Sequence, residues 1–548
     1  MSIVLGLDFG TDSVRAIAVE TDGGRCVAEA NSAYARWARK DFCDPTAQCF
    51  RQHPLDYLES MTEAVRQVVA QLSASDRSRI RAIGVDATGS TVCPVDAQAV
   101  PLALHEDFAR EPLAMFQIWK DLSAGEEAAE INAAIVQWRV ETGVDYAAFT
   151  GDYSAERFWA KALRSFRARP EIRRAAAGWL ELADWIPNLL VGCRDASALY
   201  RCSCAAAHKA MWSRSWNGLP DGEFLRRLDP DLVKLAENYA EPKPATVCLG
   251  RIDPEWADRL GLHRDVLISG SMLDAHAGAV GAGVNAHTVA AVLGTSTVQM
   301  SVTAPPAPLP GGICSVGEDS IIPGLVGLEA GQAAFGDAYA WLCGLLGWGV
   351  RHIEDEALTE EVRGRIMGKM LDALTAALPP ADAPMALTTL DWLNGRRHPM
   401  GCDQLRSCIS GLSLGTDAPE LFRSLIFATA FGSKRILEGF GQMGAEIERV
   451  MAVGGIAKKS PYIMQVLADV FEKPVYVLES SQACALGAAM AAAVACGAYG
   501  DLLAAQKGMA SAVHAQYRPD ASRAELYRTR YERYLALGGF AENFRVKE

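Results

Sequence analysis

Ile3-Val4-Leu5-Gly6-Leu7-Asp8-Phe9-Gly10-Thr11-Asp12-Ser13-Val14-Arg15-Ala16-Ile17-Ala18-Val19-Glu20 opens the chain with two apolar runs separated by one short polar turn. Aliphatic and β-branched residues in short runs suit a sheet. Ile3–Leu7 therefore predicts a buried strand, Asp8–Asp12 a turn and Val14–Glu20 a returning strand. A turn of small and hydroxylated residues can bring several backbone N–H groups onto one anion. Gly10, Thr11, Asp12 and Ser13 thus form a candidate phosphate cradle, with a plain hairpin as the alternative. The Asp8 carboxylate would repel phosphate and suits a cation instead, such as Mg²⁺ held through water.

Outward from this stretch the same grammar continues. Arg25–Ala33 reads as a third strand, and Ile80–Asp86 as a fourth. Between them Tyr57, Leu58, Met61, Val65, Val68 and Leu72 recur at helical spacing. In the second half Val289–Leu293 runs into Gly294-Thr295-Ser296-Thr297 and out again through Val298–Val302. Two halves built on one plan predict an α/β protein with a first domain over 1–285, a second over 286–500 and a helical tail over 501–548. Pro305–Pro310 reads as a stiff loop, and residues 350–385 as a helical insertion ending at Pro379-Pro380. In the tail, Leu526, Tyr527, Tyr531 and Tyr534 form a helical stripe, read as a docking face.

The whole-chain properties narrow the function classes. The 548 residues carry a formal charge of −13, with half of them hydrophobic, which argues against nucleic-acid or anionic-membrane partners. Ala483–Ala498 is mostly alanine and reads as a buried helix rather than a membrane span. Ile3–Leu7 lacks a basic flank and a small-residue cleavage site, so a cytoplasmic location is expected. The 14 cysteines include no CxxC pair; Cys202-Ser203-Cys204 is the tightest spacing. They read as reduced core thiols, not as metal ligands.

Two further segments can carry chemistry. In Ser269-Gly270-Ser271-Met272-Leu273-Asp274-Ala275-His276, strand Val266–Ser269 leads through a loop to a helix over Ala275–Gly283. Asp274 stands at its N-terminus, where the helix dipole favours the ionised carboxylate that a general base requires. A helix cap is the alternative, and His276 reads as a packed helix residue. Met451-Ala452-Val453-Gly454-Gly455-Ile456-Ala457 is a strand entering a diglycine turn, followed by helix Tyr462–Phe471. Gly454 and Gly455 would let an adenine lie against bare backbone. Two phosphate-type turns and an adenosine turn together point to a nucleotide cleft and phosphoryl transfer.

In this order of motifs, from residue 3 to about residue 500, the chain resembles the FGGY carbohydrate kinases, relatives of actin, hexokinase and the Hsp70 ATPase. Gln465-x-x-Ala468-Asp469 through Pro474-Val475 and Ala485-Leu486-Gly487-Ala488-Ala489 are similar to that family's linker and closing helix. Asp86-Ala87-Thr88-Gly89-Ser90-Thr91, Phe116-x-x-Trp119-Lys120-Asp121, Ala207-His208-Lys209, Gly327-Leu328-Glu329-Ala330-Gly331-Gln332 and Asn394-Gly395-Arg396-Arg397 resemble its ribulokinase branch. The resemblance implies two actin-like (ribonuclease H-like) domains with ATP and sugar in the cleft between them. It also implies Mg²⁺ near Asp8, ATP at the two turns and the diglycine, and Asp274 as base. The sugar would be held by Gly89, Lys209, Asp274 and Glu329, and L-ribulose would be phosphorylated at its 5-hydroxyl in L-arabinose catabolism. Kinases for D-ribulose, ribitol or xylulose remain alternatives, as does an actin-like ATPase that is not a kinase. The chain departs from the broader family at Gly395-Arg396-Arg397 and around Gly411–Gly415, so no catalytic role falls there. Oligomeric state is open, a homo-oligomer included.

Overall fold

The computed structural model describes residues 2–544, apart from 150, 306–314, 403 and 481. The proline-rich stretch at 306–310 lies outside the described residues.

Two sheets dominate. The first has six strands, ordered Cys248–Arg251, Leu267–Leu273, Ile80–Ala87, Ile3–Phe9, Ser13–Glu20 and Cys26–Ala33. Ile3–Phe9 pairs antiparallel with its hairpin partner Ser13–Glu20 and parallel with Ile80–Ala87. That register sets Asp8 between Arg15 on one side and Asp86 on the other. The second sheet has seven strands and repeats the plan. Thr288–Leu293 pairs antiparallel with Thr297–Thr303 and parallel with Arg449–Val453. Helix Pro54–Gln71 covers the first sheet; its N-terminus is set by Pro54 at the first turn and by the His53 side chain accepting from the Leu55 N–H.

Helix Ala483–Ala495 follows a strand of the second sheet yet packs on the first, against Ile3–Phe9 and Ile80–Ala87. The close approach explains its alanine composition and the bare strand opposite. A Cβ at Gly84 would stand 1.9 Å from the Ala488 carbonyl oxygen, so only glycine fits. Through this helix the second half of the chain is clamped onto the first.

Several expectations need correction. The segment after Ser269 is not a loop: strand Leu267–Leu273 continues through it and runs straight into helix Asp274–Gly281. Its polar residues are absorbed internally, the Ser271 hydroxyl donating to the Ala183 carbonyl and the Ser271 N–H to the Tyr200 hydroxyl. Residues 501–548 hold a strand as well as helices, since Val513–Tyr517 pairs with Val475–Leu478 at the edge of the second sheet. In helix Ala524–Asn543, Tyr527, Tyr531 and Tyr534 are buried against Phe427 and Phe431, whereas Leu526 lies outside that stripe. The stripe is therefore part of the second core. A third core, not foreseen, forms inside the first half, where helices Gly125–Thr142, Phe158–Ala168 and Gly222–Leu228 pack around Trp159 and Trp179.

Candidate functional site

Three acids converge at the ends of the central strands of the first sheet. Asp8 is buried and accepts a hydrogen bond from Arg15 at 3.0 Å. Burial pushes its carboxyl up, and the guanidinium opposes that shift. Asp86, its register partner, is fully buried, and neither carboxylate oxygen has a hydrogen-bond donor among the described residues. Burial first, then the charges of Asp8 and Asp274, push the Asp86 carboxyl well up. Two adjacent carboxylates are costly in a dry site unless they share a proton or a cation joins them. Asp8, Asp86 and Cys484 offer ligand atoms within 4.8 Å of one another. The two carboxylates fit Mg²⁺, a hard cation that takes oxygen ligands, better than the thiol does.

Asp274 is the first residue of helix Asp274–Gly281, partly buried, its Oδ1 accepting from the Ala275 N–H at 2.7 Å. Burial and then the Asp8 charge push it up to about 7, while the Ala275 N–H and Lys209 pull the other way. A carboxyl with that value is ionised, and able to accept a proton, only as pH rises through about 7. The acid side of a kcat/KM profile should therefore fall tenfold per pH unit, with an apparent pKa no higher than about 7, because a bound cation and Lys209 both favour the carboxylate. A profile flat down to pH ~5 would remove Asp274 as the base.

Lys209, the last residue of helix Ser203–Lys209, lies 3.7 Å from Glu156. Gly89 packs against it, and a Cβ there would come within 3.1 Å of Lys209 Cε. The Gly89 turn is held from below by fully buried Lys161, whose Nζ donates to the carbonyls of Ser90, Gln117 and Ile118. Glu329, on strand Val326–Gln332, stands 3.3 Å from His276 Nε2. Gly89, Lys209, Asp274 and Glu329 are thus gathered around one polar space beside Asp8 and Asp86. Glu156 and Asp86 belong to it too, although sequence reasoning gave neither a role. Asp86 has no local signal in the sequence; only its parallel register with Asp8 in the sheet marks it.

The nucleotide-type turns divide between the halves. In the first, Gly10 N–H donates to the Ser13 carbonyl, Trp119 Nε1 donates to the Thr11 hydroxyl, and Trp37 Nε1 donates to the Asp12 carboxylate. Ser13 is buried and Asp12 exposed. In the second, Gly294 and Thr295 are exposed and Ser296 half-buried, while the buried Thr297 hydroxyl donates inward to the Val292 carbonyl. Gly454 has φ 109° and would place a Cβ 2.4 Å from the Leu293 carbonyl oxygen, so the diglycine Gly454–Gly455 and the second turn are neighbours. Two cavities lie elsewhere, one of about 500 Å³ beside Trp185 and Trp256 and one of about 270 Å³ beside Arg449 and Tyr476. Neither is lined by any of the acids above. No described helix is long and apolar enough to cross a membrane.

Comparison with known proteins identifies the family. Residues 3–281 match the N-terminal domain of the FGGY family of carbohydrate kinases, and residues 289–496 its C-terminal domain. A ribulokinase of Vibrio parahaemolyticus is 40% identical, with 98% of this chain and 96% of that protein aligned. One of Shouchella clausii is 34% identical over 97% of this chain and 94% of that protein. Among solved structures, a xylulose kinase from Rhodospirillum rubrum superposes with a TM-score of 0.77 at 23% identity over 99% of each chain. At that identity the superposition speaks for the shared two-domain, actin-like fold alone. The chain belongs to the FGGY family of carbohydrate kinases and is an ATP-dependent sugar kinase.

Proposed function

We propose that the protein phosphorylates L-ribulose at the 5-hydroxyl, giving L-ribulose 5-phosphate and ADP, as a cytoplasmic step of L-arabinose catabolism. The observation that carries this reading is the convergence of Lys209, Asp274 and Glu329 beside Asp8 and Asp86, in a chain whose near full-length relatives are named ribulokinases. A polyhydroxylated ketose needs charge-assisted donors and acceptors of both signs, which Lys209 and Glu329 supply, with the Gly89 backbone closing one side.

Asp274 accepts the proton of the terminal hydroxyl as that oxygen attacks the γ-phosphorus in line. The donors of Gly10–Ser13 and of Gly294–Thr297 steady the phosphate oxygens, and Gly454–Gly455 receives the adenosine. Asp8 and Asp86 would hold Mg²⁺, which when bound offsets negative charge on the phosphates. The cleft lies between domains spanning 1–285 and 286–500, and their closure would exclude water as a competing acceptor.

The test is ADP release over a panel of L-ribulose, D-ribulose, L- and D-xylulose and ribitol. L-Ribulose should give the highest kcat/KM. A preference of tenfold or more for xylulose or ribitol, or ADP release independent of any sugar, would overturn the assignment. Lys209→Met and Glu329→Gln should each raise the sugar KM roughly 10–100-fold, the equivalent of one charge-assisted hydrogen bond of about 1.5–3 kcal/mol. The KM for ATP should stay close to the parent's, and an equal rise in both constants would argue for general damage instead.

A further inference from the structure

Behind Glu329 lies a second group of donor atoms that phosphoryl transfer does not use. Cys204, His208 and His276 are each about 1% exposed. One ligand atom from each lies within 4.8 Å of the other two. Cys204 and His208 are four residues apart on helix Ser203–Lys209 and so share a face. His276 reaches them from helix Asp274–Gly281, its ring centroid 4.6 Å from that of His208.

Buried imidazole nitrogens almost always have partners. Here His208 Nε2 and both ring nitrogens of His276 lack a hydrogen bond among the described residues. Glu329 lies 3.3 Å from His276 Nε2, but the pair is not aligned as a hydrogen bond. His208 Nδ1 is already engaged by the Ser315 hydroxyl, so Nε2 is the atom left to bind.

We infer that Cys204, His208 and His276 form a metal site for one divalent ion of the zinc class. One thiolate and two imidazoles are the borderline-soft donors such an ion prefers, and they suit Mg²⁺ poorly. Binding would release the Cys204 proton to solvent as the sulfur–metal bond forms. Tetrahedral ligation sets ligand atoms roughly 3.5 Å from one another, a separation that side-chain adjustment within the 4.8 Å cluster can reach. The Ser315 hydroxyl on the second nitrogen of His208 is the kind of outer contact that orients a metal-bound histidine, and the Glu329 carboxylate lies close enough to His276 to take that role once the ring turns.

The test uses the full chain, stripped with a chelator, returned to excess Mg²⁺ to fill the Asp8–Asp86 pair and titrated with Co²⁺. One equivalent should bind with a thiolate-to-cobalt charge-transfer band that Zn²⁺ displaces. The band should vanish in Cys204→Ser and persist in Cys484→Ser, which controls for the other thiol near an acid cluster. His208→Gln and His276→Gln should each weaken Co²⁺ binding about 10-fold or more. The unaltered chain should also melt at higher temperature when Zn²⁺ is added, since an ion that binds only the folded state stabilises it by mass action. That measurement stands even where a variant fails to fold. Absence of the band and of the thermal shift overturns the site, as does a band that survives Cys204→Ser or disappears with Cys484→Ser.

Discussion

An Asp274→Asn enzyme should turn over on the order of 10²–10⁴ more slowly than the parent, the usual cost of losing a general base. The substitution is close to isosteric, and an amide oxygen can still accept the Ala275 N–H that Asp274 now binds at 2.7 Å. Nor should the fold suffer. The folded-state carboxyl is raised to about 7 from 3.8, so the folded chain binds this proton more tightly than the unfolded one. Stability contributed by the site therefore falls as pH rises from about 4 to about 7, and ionised Asp274 is a cost to the fold at neutral pH. Asparagine removes that cost along with repulsion from Asp8 and Glu329. The loss should appear in kcat, with nucleotide affinity unchanged and the thermal midpoint at neutral pH no lower than the parent's, and the acid limb of the pH profile should disappear with it. Turnover within severalfold of the parent would show that the proton goes elsewhere, and an unfolded variant would contradict the linkage argument.

The division between what could be read in the sequence and what could not follows from the range of the interactions. Strand Ile3–Phe9, its hairpin and the second-half copy at Thr288–Thr303 were legible because apolar runs and small-residue turns are local signals. Asp274 was legible as a helix-terminal acid, yet the loop expected before it is a bulged strand, since Tyr200 and Ala183 satisfy Ser271 from far along the chain. Asp86 carries no local mark; only pairing with Asp8 across the sheet gives it a partner. The Cys204–His208 pair escaped notice because its spacing is that of a helix face, and the third donor, His276, lies in a distant segment. The helix Ala483–Ala495 could be read as buried, but not that it covers the other domain's sheet, since the matching glycines Gly6 and Gly84 lie far upstream.

Asp184→Ala should lower stability by about 3–5 kcal/mol, the range for stranding one member of a buried ion pair. Asp184 is fully buried, and Arg201 is 1% exposed. Asp184 Oδ2 accepts from Arg201 at 3.1 Å, and Oδ1 accepts from the Cys202 N–H at 2.8 Å. With the carboxylate gone, Arg201 would keep, among the described residues, the Trp179 carbonyl and the face of Tyr239, too little to offset a desolvated charge. Burial raises the Asp184 carboxyl while Arg201 opposes it, so the pair is held against a desolvation cost and its value lies in mutual compensation. A double replacement, Asp184→Leu with Arg201→Met, should accordingly recover most of the loss. The effect reaches the site, because Arg201 and Cys202 lead directly into the helix that ends in Lys209. Asp184→Ala should therefore raise the sugar KM at temperatures where the chain is still folded. Denaturant unfolding should be scored on the first transition, since a two-domain kinase need not unfold in one step. A loss under about 1 kcal/mol, or a double variant no better than the single, would mean that water or a shifted backbone carbonyl already satisfies Arg201 and that the pair does not anchor the Lys209 helix.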